Sequence, residues 1–240
     1  MNTLEEDVDP YCLAPSEAAE LLRRAPWQRV VVVGDSVAAG VSEHVTGYRD
    51  VAGAERVRDA LSATRPVTFA NLGQRDLRVA EIAERQLHRA LEFGPDLTIV
   101  AAGANDAFRR SFNPEQVRIG LLDLVWPLQE AASVVALIGL FDLARSGLVP
   151  EAFAGAMAER FDALDAVSAG VASELGCVLV DNHSHPLARD PAIFASDNIH
   201  CNARGHAVAA TNCVRALHRS LESGRRASPA ERMLDGVGHA

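Results

Sequence analysis

Several features that would assign this chain of 240 residues to a common class are absent from it. No apolar run approaches the length of about 20 residues that a membrane-spanning helix needs. The first ten residues, MNTLEEDVDP, lack the basic and apolar regions of a secretory signal peptide. Basic residues number 23 against 32 acidic ones, and the resulting net charge of -9 argues against nucleic acid or an anionic membrane as a partner. These absences together predict a cytoplasmic protein.

Cysteine is scarce, and common nucleotide-binding motifs are missing. The four cysteines form no C-x-x-C pair, so free thiols in a reducing compartment are the simplest interpretation of Cys12, Cys177, Cys201 and Cys213. Neither G-x-G-x-x-G nor G-x-x-x-x-G-K-[ST] occurs, and no G-x-S-x-G elbow surrounds Ser36. His183 and His185 are candidate metal ligands together with His206. No acidic or thiol partner has ligand spacing, however, so a solvated loop is preferred.

What the sequence does contain is a regular alternation of strand and helix patterns. Val30 to Val33 is a run of β-branched residues, typical of a strand buried on both faces of a parallel sheet. That strand is predicted at 29–34, with others at 67–72, 97–102, 133–140 and 177–180. Helices are predicted at 16–24, 51–63, 77–91, 113–130, 151–175 and from 202 or 203 to 221. This alternation predicts an α/β fold, a five-stranded parallel sheet between two helical layers, as in flavodoxin-like sandwiches.

The chain is predicted to form one domain, because no repeat, low-complexity block or linker interrupts the alternation. The domain spans 29–222 and follows an N-terminal extension, residues 1–28, that carries the short first helix. The Gly-, Arg- and Ser-rich segment 223–240 is predicted to be a flexible tail. With 48% hydrophobic residues, the chain is long enough to bury a large core.

Unusual polar residues follow three of the predicted strands. Gly34-Asp35-Ser36 follows the first strand, Gly103-Ala104-Asn105-Asp106 follows the third, and the loop after the fifth leads to Asp197-Asn198-Ile199-His200. Because the carboxyl ends of parallel strands lie on one edge of a sheet, these segments are expected to converge on one crevice. Each segment alone is more often a turn or a helix cap. Their joint occurrence in this order favours an active site.

The residue types in these segments are those that acyl transfer requires. A serine hydroxyl is a weak nucleophile until a base takes its proton, and His200 is the candidate base for Ser36. Asp197, three residues before His200, is placed to hold the second ring nitrogen and to stabilise the imidazolium that forms. The side-chain amide of Asn105 is a candidate donor to the oxyanion that develops.

Together, the three segments resemble the SGNH (GDSL-type) hydrolase superfamily over about residues 29–215. The block DNIHCNARGH at 197–206 is especially similar to the C-terminal block of that family. The resemblance implies that Ser36 is the nucleophile, His200 the base and Asp197 the orienting acid. It also implies that the side chain of Asn105 and the backbone N–H of Ser36 line the oxyanion hole.

The same resemblance implies a fold and a class of reaction. The fold is the flavodoxin-like sandwich already predicted from the alternation. The reactions are hydrolysis of ester, thioester or acetyl groups, with some acyl transfer, on a small-molecule acyl substrate. No cofactor is implied, because this chemistry needs no metal.

One position departs from the family pattern. The family usually has an oxyanion-hole glycine five residues after an asparagine such as Asn71, and here Asp76 occupies that position. A carboxylate about 4 Å from an oxyanion repels it by roughly 4 kcal/mol at an effective dielectric of 20. Three hypotheses follow. The backbone N–H of Asp76 still donates while its side chain turns toward Arg75 or Arg78, Gly73 takes the role, or hydrolysis is impaired and the site has another task.

Candidate substrate contacts lie beside the same strand ends. Asp35 precedes Ser36, and Phe141 follows the fourth strand on the edge where substrate is expected. Phe108, Phe112 and Trp126 are further candidates for the wall of an acyl pocket, although such residues more often belong to a core. The leading hypothesis is a serine esterase or deacylase. The alternatives are an acyltransferase with the same site residues, in which an alcohol or amine resolves the acyl-enzyme, and a non-catalytic binding protein on a degraded hydrolase scaffold.

Overall fold

Five strands form one parallel sheet in the computed structural model, which describes residues 5–224. In chain order, the strands are β1 (Arg29–Gly34), β2 (Thr68–Asn71), β3 (Leu97–Ala101), β4 (Val134–Ile138) and β5 (Val178–Val180). Every neighbouring pair is parallel, and the order across the sheet is β2-β1-β3-β4-β5, which is the flavodoxin-like order. The predicted α/β fold class is therefore confirmed.

Helices cover both faces of this sheet. In chain order, they are α1 (Pro15–Leu21), α2 (Gly53–Ser62), α3 (Val79–Phe93), α4 (Ala104–Ala107), α5 (Pro114–Glu130), α6 (Glu151–Leu175) and α7 (Ala203–Glu222). Helices α1, α2 and α7 pack together on one face, and α3, α5 and α6 pack on the other. The predicted elements agree with the observed ones to within three residues at each end. The exception is the single turn α4, where the sequence predicts a turn or a helix cap.

The alternation of side chains along β1 explains why a core lies on each side of the sheet. Val31 and Val33 belong to the core beneath α3, α5 and α6, whereas Val30 and Val32 belong to the core beneath α2 and α7. All four valines are fully buried, as the unbroken run predicts. Full burial of one such side chain stabilises the fold by about 1.5–3 kcal/mol. Strand β1 is therefore a rigid base for the residues that follow it.

Strand β1 ends at Gly34, where the chain leaves the sheet. Gly34 has a φ of +146°, and a Cβ built on it would lie 1.9 Å from the carbonyl oxygen of Ala101. The buried side chain of Gln86 replaces the missing strand partner, since its amide donates to the Gly34 carbonyl and accepts from the Gly34 N–H, both at 2.8 Å. Only glycine fits this close approach. The turn places Ser36 just beyond the end of β1, at the carboxyl edge of the sheet.

Two buried carboxylates tie the N-terminal segment to the rest of the fold. Glu6 accepts hydrogen bonds from the guanidinium groups of Arg49 and Arg56, and Asp9 accepts one from Arg204. Burial opposes the ionisation of Glu6, but the hydrogen bonds from Arg56 and Arg49 outweigh it and lower the pKa of Glu6 to about 2. Charge pairing of this kind fixes the segment against α2 and α7.

The terminal segments are described in part. The predicted extension, residues 1–28, contains α1, which packs against α2 and α7. The predicted tail, residues 223–240, lies outside the described residues from 225 onward. Within residues 5–224, every helix is too short or too polar to span a bilayer.

Candidate active site

A chain of hydrogen bonds joins three side chains from the two ends of the sequence. The Oγ of Ser36 lies 2.8 Å from Nε2 of His200, and Nδ1 of His200 lies 2.6 Å from Oδ2 of Asp197. Ser36 and His200 are each about nine-tenths buried, whereas the side chain of Asp197 is 45% exposed. The structure thus brings these three predicted residues together, across 164 residues of sequence between Ser36 and His200.

A tight turn places Asp197 and His200 on the same side of their loop. Asn198, between them, has a φ of +59°, which asparagine tolerates better than most residues. The second carboxylate oxygen of Asp197 accepts the backbone N–H groups of Ile199 and His200 at 2.9 and 3.0 Å. Although burial favours the neutral acid, the hydrogen bonds from His200 and from these N–H groups hold the pKa of Asp197 below its usual value. Asp197 is therefore a fixed anion beside the imidazole.

The ends of this loop are held by bonds to other elements. The side chain of Glu43 accepts from both the N–H and the hydroxyl of Ser196, and the Glu43 carbonyl accepts from the N–H of Ala203 at 2.9 Å. At the start of α7, the Asn202 side chain accepts the N–H of Gly205 at 3.1 Å, which is a helix N-cap. The loop that carries His200 therefore has little freedom to move away from Ser36.

Asp35 is buried behind Ser36 and does not line the cleft, where the sequence suggests a substrate contact. Its Oδ1 accepts the N–H of Val37 at 2.9 Å, and its own N–H donates to the Ala101 carbonyl at 3.1 Å. Its Oδ2 is buried without a hydrogen-bond partner among the described residues. Burial, reinforced by the negative charge of Asp106, raises the pKa of Asp35 to about 7. Asp35 thus shapes the turn around Ser36 from the inside.

Because the pKa of Asp35 is raised in the folded protein, the free energy of unfolding is predicted to depend on pH. Folded protein binds this proton more tightly than unfolded chain, so the free energy of unfolding falls as pH rises from about 4 to about 7. Asp35→Asn lacks this titration. Its free energy of unfolding, relative to the unsubstituted protein, should therefore increase by up to about 4 kcal/mol between pH 4 and pH 8. Urea unfolding of both proteins across this range measures the difference, and parallel curves would contradict the prediction.

Three hydrogen-bond donors with spare capacity belong to residues that line the same cleft as the Ser36 hydroxyl. Among the described residues, the backbone N–H groups of Ser36 and Asp76 have no acceptor. The side-chain amide of Asn105 donates one N–H to the Leu77 carbonyl at 3.0 Å and keeps the other. All three residues line the same cleft. The arrangement is suited to stabilising a negative oxygen that develops beside Ser36.

The chain that follows Asp76 is bonded to α4 at two points. Besides the bond from Asn105 to Leu77, the carboxylate of Asp106 accepts the N–H of Val79 at 3.0 Å, at the start of α3. The two adjacent residues Asn105 and Asp106 therefore hold two points of the same loop. The sequence identified Asn105 as a candidate donor but gave no indication that Asp106 binds the start of α3.

Asp76 and Gly73, the two candidate backbone donors, differ in backbone conformation and in hydrogen bonding. Asp76 has a φ of +67°, so the position that holds glycine in the family pattern has here a left-handed conformation, which glycine adopts more readily than other residues. The N–H of Gly73 is already bonded to Oδ1 of Asn71 at 2.9 Å, and Gly73 packs on the backbone of Ala39 outside the cleft. Among the described residues, no ion pair joins Asp76 to Arg75, and Arg78 pairs with Glu81 instead.

The cleft at this sheet edge has a volume of about 390 Å³ and is mostly apolar. Phe108 and Phe141, two of the four aromatic residues considered from the sequence, line it. Phe112 does not, and Trp126 lies on α5, where it is 38% exposed. Near the cleft, Phe108 packs edge to face against Phe161 with a centroid separation of 5.8 Å. One wall of the cleft is therefore aromatic.

Another part of the wall was not predicted from the sequence. It lies on the sheet face beneath α2 and α7, where small helix residues leave space above the strands. The residues that line it are Val32, Ile99, Ala101, Ile138, Ala54, Ala210 and Cys213. Burial raises the pKa of the Cys213 thiol to about 12, so this thiol is not a competing nucleophile near neutral pH. The small residues of α2 and α7 are the one feature of the sequence that could have indicated this space.

The three histidines considered as metal ligands each contact different residues. His206 accepts the N–H of Gly53 at Nδ1 and contacts the Val41 carbonyl through Nε2, both at 3.1 Å. His183 pairs with Asp162, and His185 packs edge to face against Phe141. Among residues 5–224, no group of His, Cys, Asp or Glu side chains has the arrangement of a metal site.

Comparison with known proteins places these features in context. A family model described as GDSL-like Lipase/Acylhydrolase family matches residues 32–208. Among solved structures, an α/β hydrolase from the metagenome of Lake Arreo, Spain, is 22% identical, with a TM-score of 0.64 over 79% of this chain and 94% of that chain. An acetylxylan esterase from Geobacillus stearothermophilus is 18% identical, with a TM-score of 0.65 over 79% and 94%. The esterase EstA from Pseudoalteromonas sp. is 15% identical, with a TM-score of 0.60 over 81% and 99%. No curated protein sequence matches the chain significantly.

Proposed function

The chain belongs to the GDSL-like lipase/acylhydrolase family, and on that premise we propose that it cleaves an ester or thioester bond through an acyl-enzyme on Ser36. The observation that carries the proposal is the hydrogen-bonded chain Ser36–His200–Asp197, with distances of 2.8 and 2.6 Å, at the mouth of an apolar cleft. A hydroxyl, an imidazole and a carboxylate in this order are the parts that nucleophilic acyl transfer needs.

The proposed reaction has two halves. The Ser36 hydroxyl attacks the acyl carbon while Nε2 of His200 takes its proton, and Asp197 stabilises the imidazolium through Nδ1. The imidazolium then gives that proton to the departing alcohol or thiol. In the second half, His200 removes a proton from water, the hydroxide adds to the acyl carbon, and Ser36 leaves with the proton returned by His200.

In this scheme, three hydrogen-bond donors would stabilise the negative charge that develops on the substrate oxygen. The negative oxygen of each tetrahedral intermediate would accept from the N–H groups of Ser36 and Asp76 and from the Asn105 amide. Removal of one such donor in a serine hydrolase typically costs a factor of about 10²–10³ in kcat. Gly73 is excluded from the proposed set, because its N–H is already used by Asn71.

The size of the cleft supports an acyl or alcohol group larger than acetyl. An apolar cavity of about 150 Å³ is enough to bind benzene. The cleft here has about 390 Å³ and is lined largely by aliphatic and aromatic side chains. The substrate we propose is therefore a small-molecule ester or thioester with a substantial apolar portion, and no cofactor takes part in the steps above.

The proposal is tested by trapping the covalent intermediate. After brief reaction with p-nitrophenyl octanoate at low pH, mass spectrometry of the digested protein should show an octanoyl group on the peptide that contains Ser36. Adding an alcohol or amine acceptor and measuring the partition of product distinguishes hydrolysis from the acyl transfer that the sequence left open. An active protein without any adduct at Ser36 would overturn the proposal.

The carboxylate of Asp76 is predicted to slow the reaction. It lies on the residue whose N–H is proposed to bind the oxyanion, so it opposes the developing charge, although its exposure to solvent weakens the effect. Asp76→Asn and Asp76→Gly both accept the φ of +67°. Each is expected to raise kcat by about threefold to tenfold, which corresponds to roughly 1 kcal/mol.

The two Asp76 variants serve as controls for each other. Asp76→Asn removes the charge alone, while Asp76→Gly also relieves the left-handed conformation, so an equal rise in both assigns the effect to charge. Steady-state kinetics on p-nitrophenyl butyrate supplies the measurement. A collapse of kcat in both variants would show that the carboxylate takes a positive part in the reaction.

A further inference from the structure

A polar side chain outside the proposed catalytic set lies in the cleft, at the end away from Ser36. Asn182, two residues after β5, lines the cleft and is 2% exposed. The catalytic scheme proposed above does not use it. Its side chain is neither at the nucleophile nor among the three oxyanion donors, so a separate role has to explain why a buried amide faces this space.

A hydrogen bond fixes which atom of the Asn182 amide faces the cleft. The amide of Asn212, on α7, donates to the carbonyl oxygen of Asp181 at 2.7 Å and to Oδ1 of Asn182 at 2.9 Å. Oδ1 of Asn182 is therefore occupied on the α7 side. The Nδ2 group has no hydrogen-bond acceptor among the described residues. Since Asn182 lines the cleft, this unpaired donor is available to a ligand that accepts from it.

The sheet sets the distance between Ser36 and Asn182. Ser36 follows β1 and Asn182 follows β5, which are separated by three strand spacings in the order β1-β3-β4-β5. At about 4.8 Å for each spacing, the two residues stand about 14 Å apart along the sheet edge. Contacts of about 3 Å at each end leave about 8 Å, which a chain of about seven carbons covers.

The cleft between the two residues is apolar. Its lining over the ends of β3 and β4 includes Ala101, Ile138 and Leu140. Gly139 also lines the cleft, and it packs closely on the end of β5, because a Cβ there would meet the Val180 carbonyl oxygen at 3.1 Å and the Asn182 backbone nitrogen at 3.5 Å. The floor of the cleft therefore suits a hydrocarbon segment between two polar ends.

The charges near Asn182 disfavour an anionic ligand group. Asp181 and Asp165 lie beside it, and burial together with the Asp181 and Asp162 charges raises the pKa of Asp165. The nearby guanidinium of Arg145 is already paired with Asp162, which His183 also contacts. A neutral acceptor, such as a carbonyl or hydroxyl oxygen, avoids repulsion from these carboxylates.

We propose that Asn182 is a specificity-determining residue that binds a neutral hydrogen-bond acceptor on the substrate, about seven carbons from the scissile bond. The inference rests on the proposed ester-cleaving function of Ser36. The acceptor can belong to the acyl part or to the alcohol part of the ester. In the first case the acyl chain extends toward β5, and in the second case the alcohol chain does.

The test compares matched esters with and without a distal oxygen. In the acyl arm, p-nitrophenyl 7-oxo-octanoate is compared with p-nitrophenyl octanoate. In the alcohol arm, the acetate of 7-oxo-octanol is compared with the acetate of octanol. The unsubstituted protein should prefer the oxo ester by about fivefold to tenfold in kcat/KM in one arm, the effect expected of a buried amide that gains its acceptor.

The variants show whether Asn182 is the cause. Asn182→Leu should abolish the preference, measured as the ratio of kcat/KM for the two members of each ester pair, so that a general loss of activity cancels. Asn212→Ala, which frees the amide from its fixing bond, should reduce the preference without abolishing it, and it serves as the second variant if Asn182→Leu does not fold. Equal kcat/KM for both members of each pair, or a preference that survives Asn182→Leu, would overturn the proposal.

Failure of the underlying function gives a different result. If p-nitrophenyl acetate is not turned over at all, the ester-cleaving function fails and kinetics says nothing about Asn182. Calorimetric binding of the same four esters to Ser36→Ala then measures the preference directly. Tighter binding of an oxo ester that is lost in the double variant with Asn182→Leu supports the inference, and equal affinities overturn it.

Discussion

Ser36→Ala is expected to lower kcat for p-nitrophenyl butyrate by a factor of about 10⁴–10⁶, because Ser36 supplies the only hydroxyl among the described residues that line the cleft. The two cysteines that line the cleft are poor substitutes, since burial raises the pKa of Cys201 and of Cys213 to about 12. Activity that remains would come from the oxyanion donors and from binding. Steady-state rates at saturating ester measure the loss.

A fluorophosphonate probe gives the same test without turnover. The unsubstituted protein should be labelled on Ser36, and the alanine variant should not be labelled. Ser220→Ala is the matched control, because Ser220 lies on α7 and its hydroxyl only donates to the Leu217 carbonyl of its own helix. Labelling of Ser36→Ala at the rate of the control would rule out Ser36 as the nucleophile.

Much of the fold could be predicted from the sequence because its signals are local. The valine run of β1 reports burial on both faces, and the cap-and-proline sequence Asn113-Pro114 marks the start of α5, where the Asn113 side chain accepts from two backbone N–H groups. Gly176 closes α6 with a φ of +69°. Each of these preferences depends on a few neighbouring residues, which is why the element boundaries agree closely with the structure.

The site was predictable only through the topology of the sheet. Nothing local joins Ser36 to His200, but the rule that parallel strands end on one edge places both segments in one crevice. The same rule does not determine where a side chain points. Asp35 therefore was expected at the substrate, whereas the turn at Gly34 buries it beneath the nucleophile.

Other features depend on contacts between distant residues and left no pattern in the sequence. The φ of Asp76, the use of the Gly73 N–H by Asn71 and the fixed amide of Asn182 each follow from how two loops or a loop and a helix meet. The left-handed conformation of Asp76 could not be predicted, because no pattern in the neighbouring sequence indicates it. The space beneath α2 and α7 likewise appears only when small residues of both helices face the same strands.

Asp197→Asn is expected to lower kcat by a factor of about 10³–10⁴ with little change in KM. The asparagine oxygen can keep accepting the N–H groups of Ile199 and His200, so the turn should persist. Its Nδ2 group, however, would donate to Nδ1 of His200, which forces the ring proton onto Nε2. The nitrogen facing Ser36 at 2.8 Å would then be a donor and could not take the hydroxyl proton.

Comparison of three variants separates this tautomer effect from damage to the loop. Asp197→Ala should lose a similar factor in kcat and, in addition, about 1 kcal/mol of unfolding free energy, because the two N–H groups lose their acceptor. Asp190→Asn is the matched control, since Asp190 caps the neighbouring 3₁₀ turn Pro191–Ile193 through the Ala192 N–H and lies outside the cleft. It should change kcat by less than twofold. If Asp197→Asn stays within tenfold of the unsubstituted protein while remaining folded, the imidazole must be oriented by the loop backbone alone, and the carboxylate would be an anchor of the turn instead of a partner in proton transfer.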